Sequence, residues 1–403
     1  MEFDTQPAEA VPAAPNVPVA AQRYPIEFTA SGSEYFRIWI VNLLLIVLTL
    51  GLYLPWAKVR KLKYFYSNTW VGGDALDFHG DPKKMLRGTL IAAAFLIVYS
   101  LGSNFAGWAA VIAAVAFVAL WPALFRAAMR FRLANTSWRG LRFRFAGDMR
   151  GAYVAMMPPL ALALLPFAIA GAMVDPGAAS QAGEPGEPPL MAFMVTSLLM
   201  TVFFFGLPYF LWRLKHYQHD HYAVGGLQTK LKADVGVLYG IFIKLMGISM
   251  IAVLAFVAVI ALGAFTGIVG GKKGSGIGVA VVVGIAIIAI LGIFVLNVLP
   301  KSYMQVRLQN LLWSTTGNDQ MRLDSQLKLA RYLPLQFKNY LLIFLTLGLY
   351  WPFAVVSTRR AQIEAMAIET RIDLDDLAQT AGAENPGAAG DMAADLFGLD
   401  IGM

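Results

Sequence analysis

The chain has no cysteine among its 403 residues. Disulfide frameworks, thiolate zinc sites and cysteine nucleophiles are therefore excluded. Charged residues are also scarce, since they make up 14% of the chain, whereas a soluble domain carries about 25%. Hydrophobic residues make up 58%. This combination excludes an ordinary soluble enzyme and is typical of a membrane protein.

Long apolar segments fill much of the chain. A helix needs about 20 apolar residues to cross the hydrocarbon core of a bilayer. The sequence therefore predicts an α-helical multi-pass membrane protein with about eight such segments and with repeated short cytoplasmic β-hairpins that form a small surface layer. The segments are 38–56, 89–108, 109–125, 152–174, 190–212, 245–269, 277–299 and 340–354. The first segment is predicted to cross the membrane. The last could either cross the membrane or enter it and return, so the side on which the C-terminus lies also remains open.

Charge is unevenly distributed along the chain. Residues 23–370 carry a net charge of +16, and the end segments 1–22 and 371–403 carry −3 and −6. Because basic loops of membrane proteins stay in the cytoplasm, five basic stretches are predicted to face it: 57–88, 126–150, 213–244, 301–338 and 359–371. Acidic, disordered tails are predicted at 1–23 and 371–403, on either side of a membrane domain at 24–370. No nucleic-acid partner is expected.

An internal repeat follows the prolines near the cytoplasmic ends of the apolar segments. Eighteen positions after the first four prolines stand residues that tolerate positive φ: Gly73, Gly140, Gly226 and Asn318. Twenty-six positions after the first three stand aspartates placed to cap the next membrane helix: Asp81, Asp148 and Asp234. The alternating segment 141–145 predicts a strand, so each unit should contain a short β-hairpin. The predicted units are 38–81, 109–148, 190–234, 277–326 and a degenerate 335–370.

Three short sequence motifs of the chain occur together in a known family. The segment 49–57 reads TLGLYLPWA, the segment 28–36 reads FTASGSEYF, and Asn-Thr-Trp follows at 68–70. In this combination the chain resembles the YjgN-like family of bacterial inner-membrane proteins over most of residues 24–375. The resemblance implies a multi-pass protein of the bacterial inner membrane with no established activity and no site residues to carry over. It also implies a membrane-linked metallopeptidase of the zincin type as a partner.

Three of the four histidines, His216, His219 and His221, fall in one run beside a carboxylate. Their spacing would suit a divalent metal. The alternative is a membrane-interface segment in which His221 takes the position of Asn68 and Asn135 in the first two units. We favour the second interpretation, so neither a metal nor a cofactor is expected.

Ionisable residues are almost missing from the interiors of the apolar segments, which disfavours a pump driven by carboxylates. No set of nucleophile, base and orienting group stands out, so no enzymatic activity is expected. Two functions remain. One is a non-enzymatic scaffold that binds a partner or lipids, and the other is a transporter or channel for a neutral or anionic solute. A polar cavity at membrane depth would favour transport, and a solid interior would favour the scaffold.

A concentration of arginines in the second unit, next to the basic segment 58–63, is the candidate surface for an anionic lipid or an acidic partner. Its residues are Arg126, Arg130, Arg132, Arg139, Arg142 and Arg144. The acidic C-terminal tail is a predicted intramolecular ligand for this surface. The sequence leaves the oligomeric state open, a homo-oligomer included.

Overall fold

The computed structural model describes residues 21–86, 107–173, 190–270 and 276–375, and the single positions 88, 90, 97 and 100. The strands are β1 (Gln22–Phe28), β2 (Thr69–Val71), β3 (Asp74–Phe78), β4 (Thr136–Trp138), β5 (Leu141–Phe145), β6 (Tyr222–Val224), β7 (Leu227–Gln228), β8 (Lys230–Leu231), β9 (Thr316–Gly317), β10 (Met321–Ser325) and β11 (Met366–Thr370). The helices are α1 (Gly32–Leu48), α2 (Leu54–Ser67), α3 (Gly107–Ala134), α4 (Met149–Met173), α5 (Leu190–His219), α6 (Val235–Gly270), α7 (Gly276–Ser314), α8 (Leu329–Leu345) and α9 (Trp351–Ile363). Residues 82–86 are also helical. Most of both predicted tails lies outside the described residues.

All eleven strands join one antiparallel sheet, in the order β7-β6-β5-β4-β3-β2-β1-β11-β10-β9-β8. The two strands at the ends of this order, β7 and β8, are separated in the chain only by Thr229. The segment 227–231 therefore pairs with β6 through its first two residues and with β9 through its last two. The sheet closes on itself, and we name it the strand ring.

Three hairpins of the strand ring have two-residue turns in which both residues take positive φ. The first residues of these turns are Gly72, Arg139 and Gly225, with φ of 57°, 49° and 50°. The second residues are Gly73, Gly140 and Gly226, with φ of 86°, 80° and 77°. Positive φ at both positions is the signature of the type I′ turn, whose twist matches that of the flanking strands. The three predicted glycines thus take equivalent turn positions.

The fourth hairpin is built differently. Its second strand, β10, begins at Met321, which is two positions later relative to the preceding proline than the start of β3, β5 or β7. The Asn318 side chain closes the turn, because its Oδ1 accepts the N–H groups of Gln320 at 3.0 Å and Met321 at 2.7 Å. Asn318 therefore lies in a longer turn of another kind and does not take the turn position of the three glycines.

Apolar side chains fill the interior of the strand ring. The buried members of their cluster come from β1, β2, β4, β5, β6 and the segment after β11: Ile26, Val71, Trp138, Leu141, Val224 and Leu374. The other half of the ring, β10 and β11, adds partly buried side chains such as Met321 and Ile368, so the cluster must lie inside. Residues of β5 show the alternation, since Leu141 and Phe143 pack into this cluster while Arg142 and Arg144 are exposed. Full burial of a large apolar side chain contributes about 1.5–3 kcal/mol. The ring is therefore a packed core.

Helix pairs connect neighbouring strands of the ring. Helices α1 and α2 run from β1 to β2, α4 and α5 from β5 to β6, α6 and α7 from β8 to β9, and α8 and α9 from β10 to β11. The two strands in each case are paired antiparallel. The tight turns join strands at the opposite end. All the described helices are therefore mounted at one end of the strand ring.

Segment 38–56, which is predicted to cross, and segment 340–354, for which crossing and re-entry are both open, each contain a turn between two helices. In each, a leucine and the glycine after it take positive φ, at 50° and 91° for Leu50 and Gly51 and at 50° and 93° for Leu347 and Gly348. A left-handed residue at this position ends an α-helix. Each segment therefore ends one helix and begins the next, and the second helix returns the chain to the strand beside the one it left.

The predicted fold class, a helical multi-pass protein with about eight crossing segments, is wrong. Within the described residues, two helical segments are long and apolar enough to cross a membrane: Phe193–His219 and Val235–Gly263. Segment 109–125 continues into the arginine-bearing end of α3, and segment 152–174 falls on α4, which contains three prolines. Apolar content alone did not reveal the eleven-stranded ring on which the helices stand. Segment 89–108 lies largely outside the described residues.

An aspartate side chain accepts an amide hydrogen bond at the start of three helical stretches. The carboxylates are Asp81, Asp148 and Asp234. Their donors are the N–H groups of Lys83, Gly151 and Gly236, at 2.8, 3.1 and 3.1 Å. Such bonds satisfy donors that the first turn of a helix leaves unpaired. At the start of α8 the N-cap residue is Lys328, whose side chain makes no capping bond.

Candidate functional site

The six arginines predicted to form one surface lie in three separate places. Arg139 stands in the turn between β4 and β5, at the end of the strand ring away from the helices. Arg142 and Arg144 point outward from β5 and are exposed. The other three lie on α3: Arg126, Arg130 and Arg132. The strand ring therefore divides the predicted surface.

Arg139 fastens the chain after β11 to the ring. Its guanidinium donates to the carboxylates of Asp74 and Asp375 and, at 2.8 Å, to the carbonyl oxygen of Gly72. It also lies over the indole of Trp138, with 4.8 Å between Cζ and the ring centroid. Asp375 belongs to the predicted acidic tail, so this tail does contact one of the six arginines. The contact anchors the segment 371–375 and leaves Arg139 engaged within the protein.

Arg126 also has a structural partner. Its Nε donates to the carbonyl oxygen of Gly147 at 2.7 Å, just before α4 begins. This bond ties α3 to the strand end that precedes the next helix. Of the six arginines, Arg132 alone enters the cluster of basic residues described next.

Basic residues from three helices meet at the helix-bearing end of the strand ring. They are Lys58 and Lys61 on α2, Arg132 on α3 and Arg359 on α9, and we name them the inner basic cluster. Lys61 is within electrostatic reach of Arg359 and Arg132, and Lys58 is within reach of Arg132 and Lys61. The members come from distant parts of the chain, so the fold assembles the cluster.

Helix α2 is held between its neighbours by two apolar clusters. On one side Val59 and Leu62 pack with the buried Phe131 of α3. On another side Phe65 packs with the buried Val356 of α9. Because residues three apart lie on one face of a helix, Lys58 and Lys61 share a face that looks toward Arg132 and Arg359.

Burial and like charges act together on the lysines of the cluster. The pKa of Lys58 is lowered to about 8, mainly by burial and then by the positive charges of Arg132 and Lys61. Burial likewise lowers the pKa of Lys61, with Arg359 and Arg132 contributing next. Like charges disfavour the protonated form of each lysine. An anion placed among these side chains would reverse that effect.

Aromatic side chains extend the cluster toward α5 and α7. The positive charge of Arg132 acts on Tyr222 and lowers the pKa of its hydroxyl. The ring of Tyr222 stacks with that of Trp313 at a centroid distance of 6.4 Å. Burial is the main cause that raises the pKa of Tyr222 to about 12. Its hydroxyl is therefore neutral at physiological pH and can donate a hydrogen bond.

The three predicted metal-ligand candidates point to different partners. The Nδ1 of His216 lies 2.9 Å from Oδ2 of Asp220, and that of the buried His219 lies 2.8 Å from Oγ1 of Thr316. The Nδ1 of His221 lies 2.8 Å from the carbonyl oxygen of Tyr217. In the part of the chain that the structure describes, three or more metal-ligating side chains do not converge anywhere. These histidines contribute to packing between α5 and the strand ring.

The residue that sequence reasoning missed is Arg359. The i, i+3 spacing of Lys58 and Lys61 is visible in the sequence and marks one face of a helix. The proximity of Arg359 on α9 cannot be read from the sequence, because α9 comes next to α2 only when the strand ring closes between β1 and β11.

Comparison with known proteins gives three findings. The model of a bacterial protein family of unknown function, DUF898, matches residues 23–396. The chain is similar to "Inner membrane protein YjgN" of Escherichia coli (strain K12), with 30% identity over 142 residues, and of Salmonella typhimurium, with 30% identity over 147 residues. These matches cover 34% of this chain and 35% and 36% of the two relatives, so the chain spans about a third of the length of the curated relatives that it matches. No solved structure matches.

Proposed function

The chain belongs to the DUF898 family of bacterial proteins, and from that premise we propose that it is a non-enzymatic inner-membrane protein that holds the strand ring as a rigid platform at the cytoplasmic face. Its relatives are named as inner-membrane proteins. The basic residues of the body, concentrated around the ring, support a cytoplasmic position for it.

The observation that carries the platform proposal is the packed interior of the strand ring. Apolar side chains from around the ring meet in one cluster, and Leu374, only 4% exposed, closes it where the chain leaves β11. A ring of this kind has no passage for a solute along its axis. A solid ring favours a surface that binds a partner over a conduit.

The helices supply the membrane attachment in this proposal. Helices α5 and α6 are the candidates to cross the bilayer by length and composition. Because α4 leads from the ring to the start of α5, and α7 leads from the end of α6 back to the ring, α4 and α7 cross beside them in this proposal. The α1–α2 and α8–α9 pairs enter it only part of the way, since α1 has 17 residues and is therefore about 25 Å long. Their tips expose Leu50 and Leu347, each at 95%. Such side chains are stable in hydrocarbon and costly in water.

We also propose that the hairpin units arose by duplication. Two observations support duplication. The sequence segments 48–55 and 345–352 differ at one position of eight, and three hairpins share their turn geometry.

The alternative function, a transporter for an anionic solute, is favoured by one observation, the inner basic cluster between α2, α3 and α9. Reconstitution separates the two functions. The full chain is placed in phosphatidylglycerol and phosphatidylethanolamine vesicles that hold an anionic dye and a neutral sugar. The platform proposal expects release no faster than from protein-free vesicles. Saturable release that rises with the amount of protein would overturn the platform in favour of transport.

A further inference from the structure

We propose that Ser137 is a nucleophile activated by His79, and that it accepts an acyl group from a reactive ester or thioester on the outer face of the strand ring. The Oγ of Ser137 lies 2.7 Å from Nε2 of His79. The carboxylate of Asp77 lies on the other side of the imidazole. The inference goes beyond the platform proposal, because a platform that only binds a partner needs no reactive group.

The pairing of β3, β4 and β5 places these side chains on one face of the ring. Asp77 pairs with Ser137, and Ser137 pairs with Arg142. Residues directly opposite each other in a ladder point to the same face. Because Arg142 is exposed on the outside, Asp77 and Ser137 face outward too. His79 stands two positions after Asp77, and its N–H continues the ladder to the carbonyl oxygen of Asn135 at 2.8 Å, so it shares that face.

The two ring nitrogens of His79 are placed for transfer of a proton from Ser137. Nε2 accepts the hydroxyl proton when the imidazole carries its own proton on Nδ1. Oδ2 of Asp77 lies 3.7 Å from Nδ1, which is longer than a hydrogen bond but favours the proton on that nitrogen. Oδ1 of Asp77 accepts the N–H of Phe78 at 2.7 Å, which orients the carboxylate. The same order of serine, histidine and aspartate activates the nucleophile of serine hydrolases.

The exposure of the three side chains differs in a way that suits this role. Ser137 is 7% exposed, whereas the side chains of His79 and Asp77 are 44% and 46% exposed. The nucleophile is therefore shielded by its neighbours, and the imidazole beside it is open to solvent. Arg142 lies across the ladder from Ser137, and a guanidinium there can stabilise the negative charge that develops on the carbonyl oxygen of an acyl donor.

The covalent step balances within these groups. Oγ of Ser137 bonds to the carbonyl carbon of the acyl donor, and its proton passes to Nε2 of His79. The bond from that carbon to the sulfur or oxygen of the leaving group then breaks, and His79 gives the proton to the leaving group. The acyl group stays on Ser137 as an ester. The protein is modified once without turnover, so the step is compatible with a non-enzymatic platform.

The experiment uses the full chain in detergent and two probes. A fluorophosphonate forms a bond from phosphorus to an activated serine oxygen and releases fluoride, and S-acetyl-N-acetylcysteamine is a small thioester. Mass spectrometry of peptides locates each modification. We expect both probes to modify Ser137, and His79→Ala to slow the reaction at least about 100-fold, as loss of a general base implies. Asp77→Asn should slow it as well, because the carboxylate favours the reactive tautomer.

Three variants control the experiment. His79→Gln can keep a hydrogen bond to Ser137 but cannot take its proton, so it should be as unreactive as His79→Ala while it keeps the fold. His221→Ala removes a histidine whose Nδ1 bonds a carbonyl oxygen, and it should react like the parent protein. Ser67→Ala removes an exposed serine at the end of α2 and should also have no effect. Circular dichroism of each variant confirms that it is folded.

Two results would overturn the proposal. The first is failure of either probe to modify Ser137 in the parent protein, since the contact with His79 would then only tie β3 to β4. The second is modification of Ser137 that persists in His79→Gln. The vesicle-release test of the platform does not involve Ser137, so the two proposals can fail separately.

Discussion

Asn42 and Asn339 make the same hydrogen bond in two helix pairs at opposite ends of the chain. Each donates from Nδ2 to a main-chain oxygen fifteen residues later, Ala57 or Ala354, at 3.4 Å. Both side chains are buried, at 7% and 1% exposure. Each bond joins the outgoing helix to the returning one near its proline. The α1–α2 and α8–α9 pairs are thus two copies of the same helix–turn–helix unit, in which the second helix returns the chain to the ring.

The first prediction concerns the tips of these two pairs. Because the chain has no cysteine, Leu50→Cys and Leu347→Cys can be labelled without further changes. We expect a membrane-impermeant maleimide to leave both cysteines unlabelled in spheroplasts and in inverted vesicles, because the platform proposal places the tips within the bilayer. Both cysteines should be labelled after detergent is added.

Two further cysteines control this experiment. Lys63→Cys should be labelled in inverted vesicles only. Leu190→Cys, at the exposed start of α5, should be labelled from outside only. Labelling of Leu50→Cys from outside intact spheroplasts would show that the first pair crosses the membrane.

The second prediction concerns helix capping. Asp148 accepts the N–H of Gly151 at the start of α4, so Asp148→Ala should lower the free energy of unfolding by about 1 kcal/mol. Asp148→Ser, which keeps an acceptor, should recover most of that loss. Asp319, whose side chain is fully exposed, is the control, and Asp319→Ala should leave thermal unfolding in detergent unchanged. Equal effects of the two alanine variants would contradict a capping role.

The third prediction separates strain from contacts at Arg139. This residue takes a φ of 49° and also binds Asp74 and Asp375. Arg139→Gly loses the contacts but relieves the left-handed strain, whereas Arg139→Ala loses the contacts and keeps the strain. The glycine variant should therefore be more stable than the alanine variant by about 1 kcal/mol. Thermal unfolding of both gives the difference, and a more stable alanine variant would refute the strain.

The fourth prediction is a pH dependence. Lys58 has a pKa of about 8 in the folded protein and an ordinary value of 10.5. Between these values the unfolded chain binds more protons, so the free energy of unfolding rises with pH. Raising the pH from about 7 to about 9 should raise the unfolding temperature of the parent protein relative to Lys58→Met. The same comparison with Lys63→Met, the control, should show no such difference. If the unfolding temperature of the parent protein instead falls relative to Lys58→Met as the pH rises, the lowered pKa of Lys58 is contradicted.

The hairpins could be predicted from the sequence because their signals are local. Alternation in 141–145 marks β5, the glycines mark the turns, and Asp148 stands at the helix start. The closed ring could not be predicted, because its last pairing joins Gln22 to Thr370 and depends on long-range contacts that a sequence pattern does not record. The same holds for the inner basic cluster, since Lys61 meets Arg359 only after that pairing. Counting apolar residues failed at 38–56, because the backbone conformation of Leu50 turns a run of suitable composition into two helices.

The pairing of β1 with β11 also sets the order of events during synthesis. β11 is the strand between β1 and β10, and it is the last strand of the described chain to leave the ribosome. Until residues 366–370 emerge, β1 has one unpaired edge, and such an edge invites pairing with other chains. A chain that stops before β11 would expose that edge permanently, so the synthesis of β11 is the step that protects the ring against aggregation.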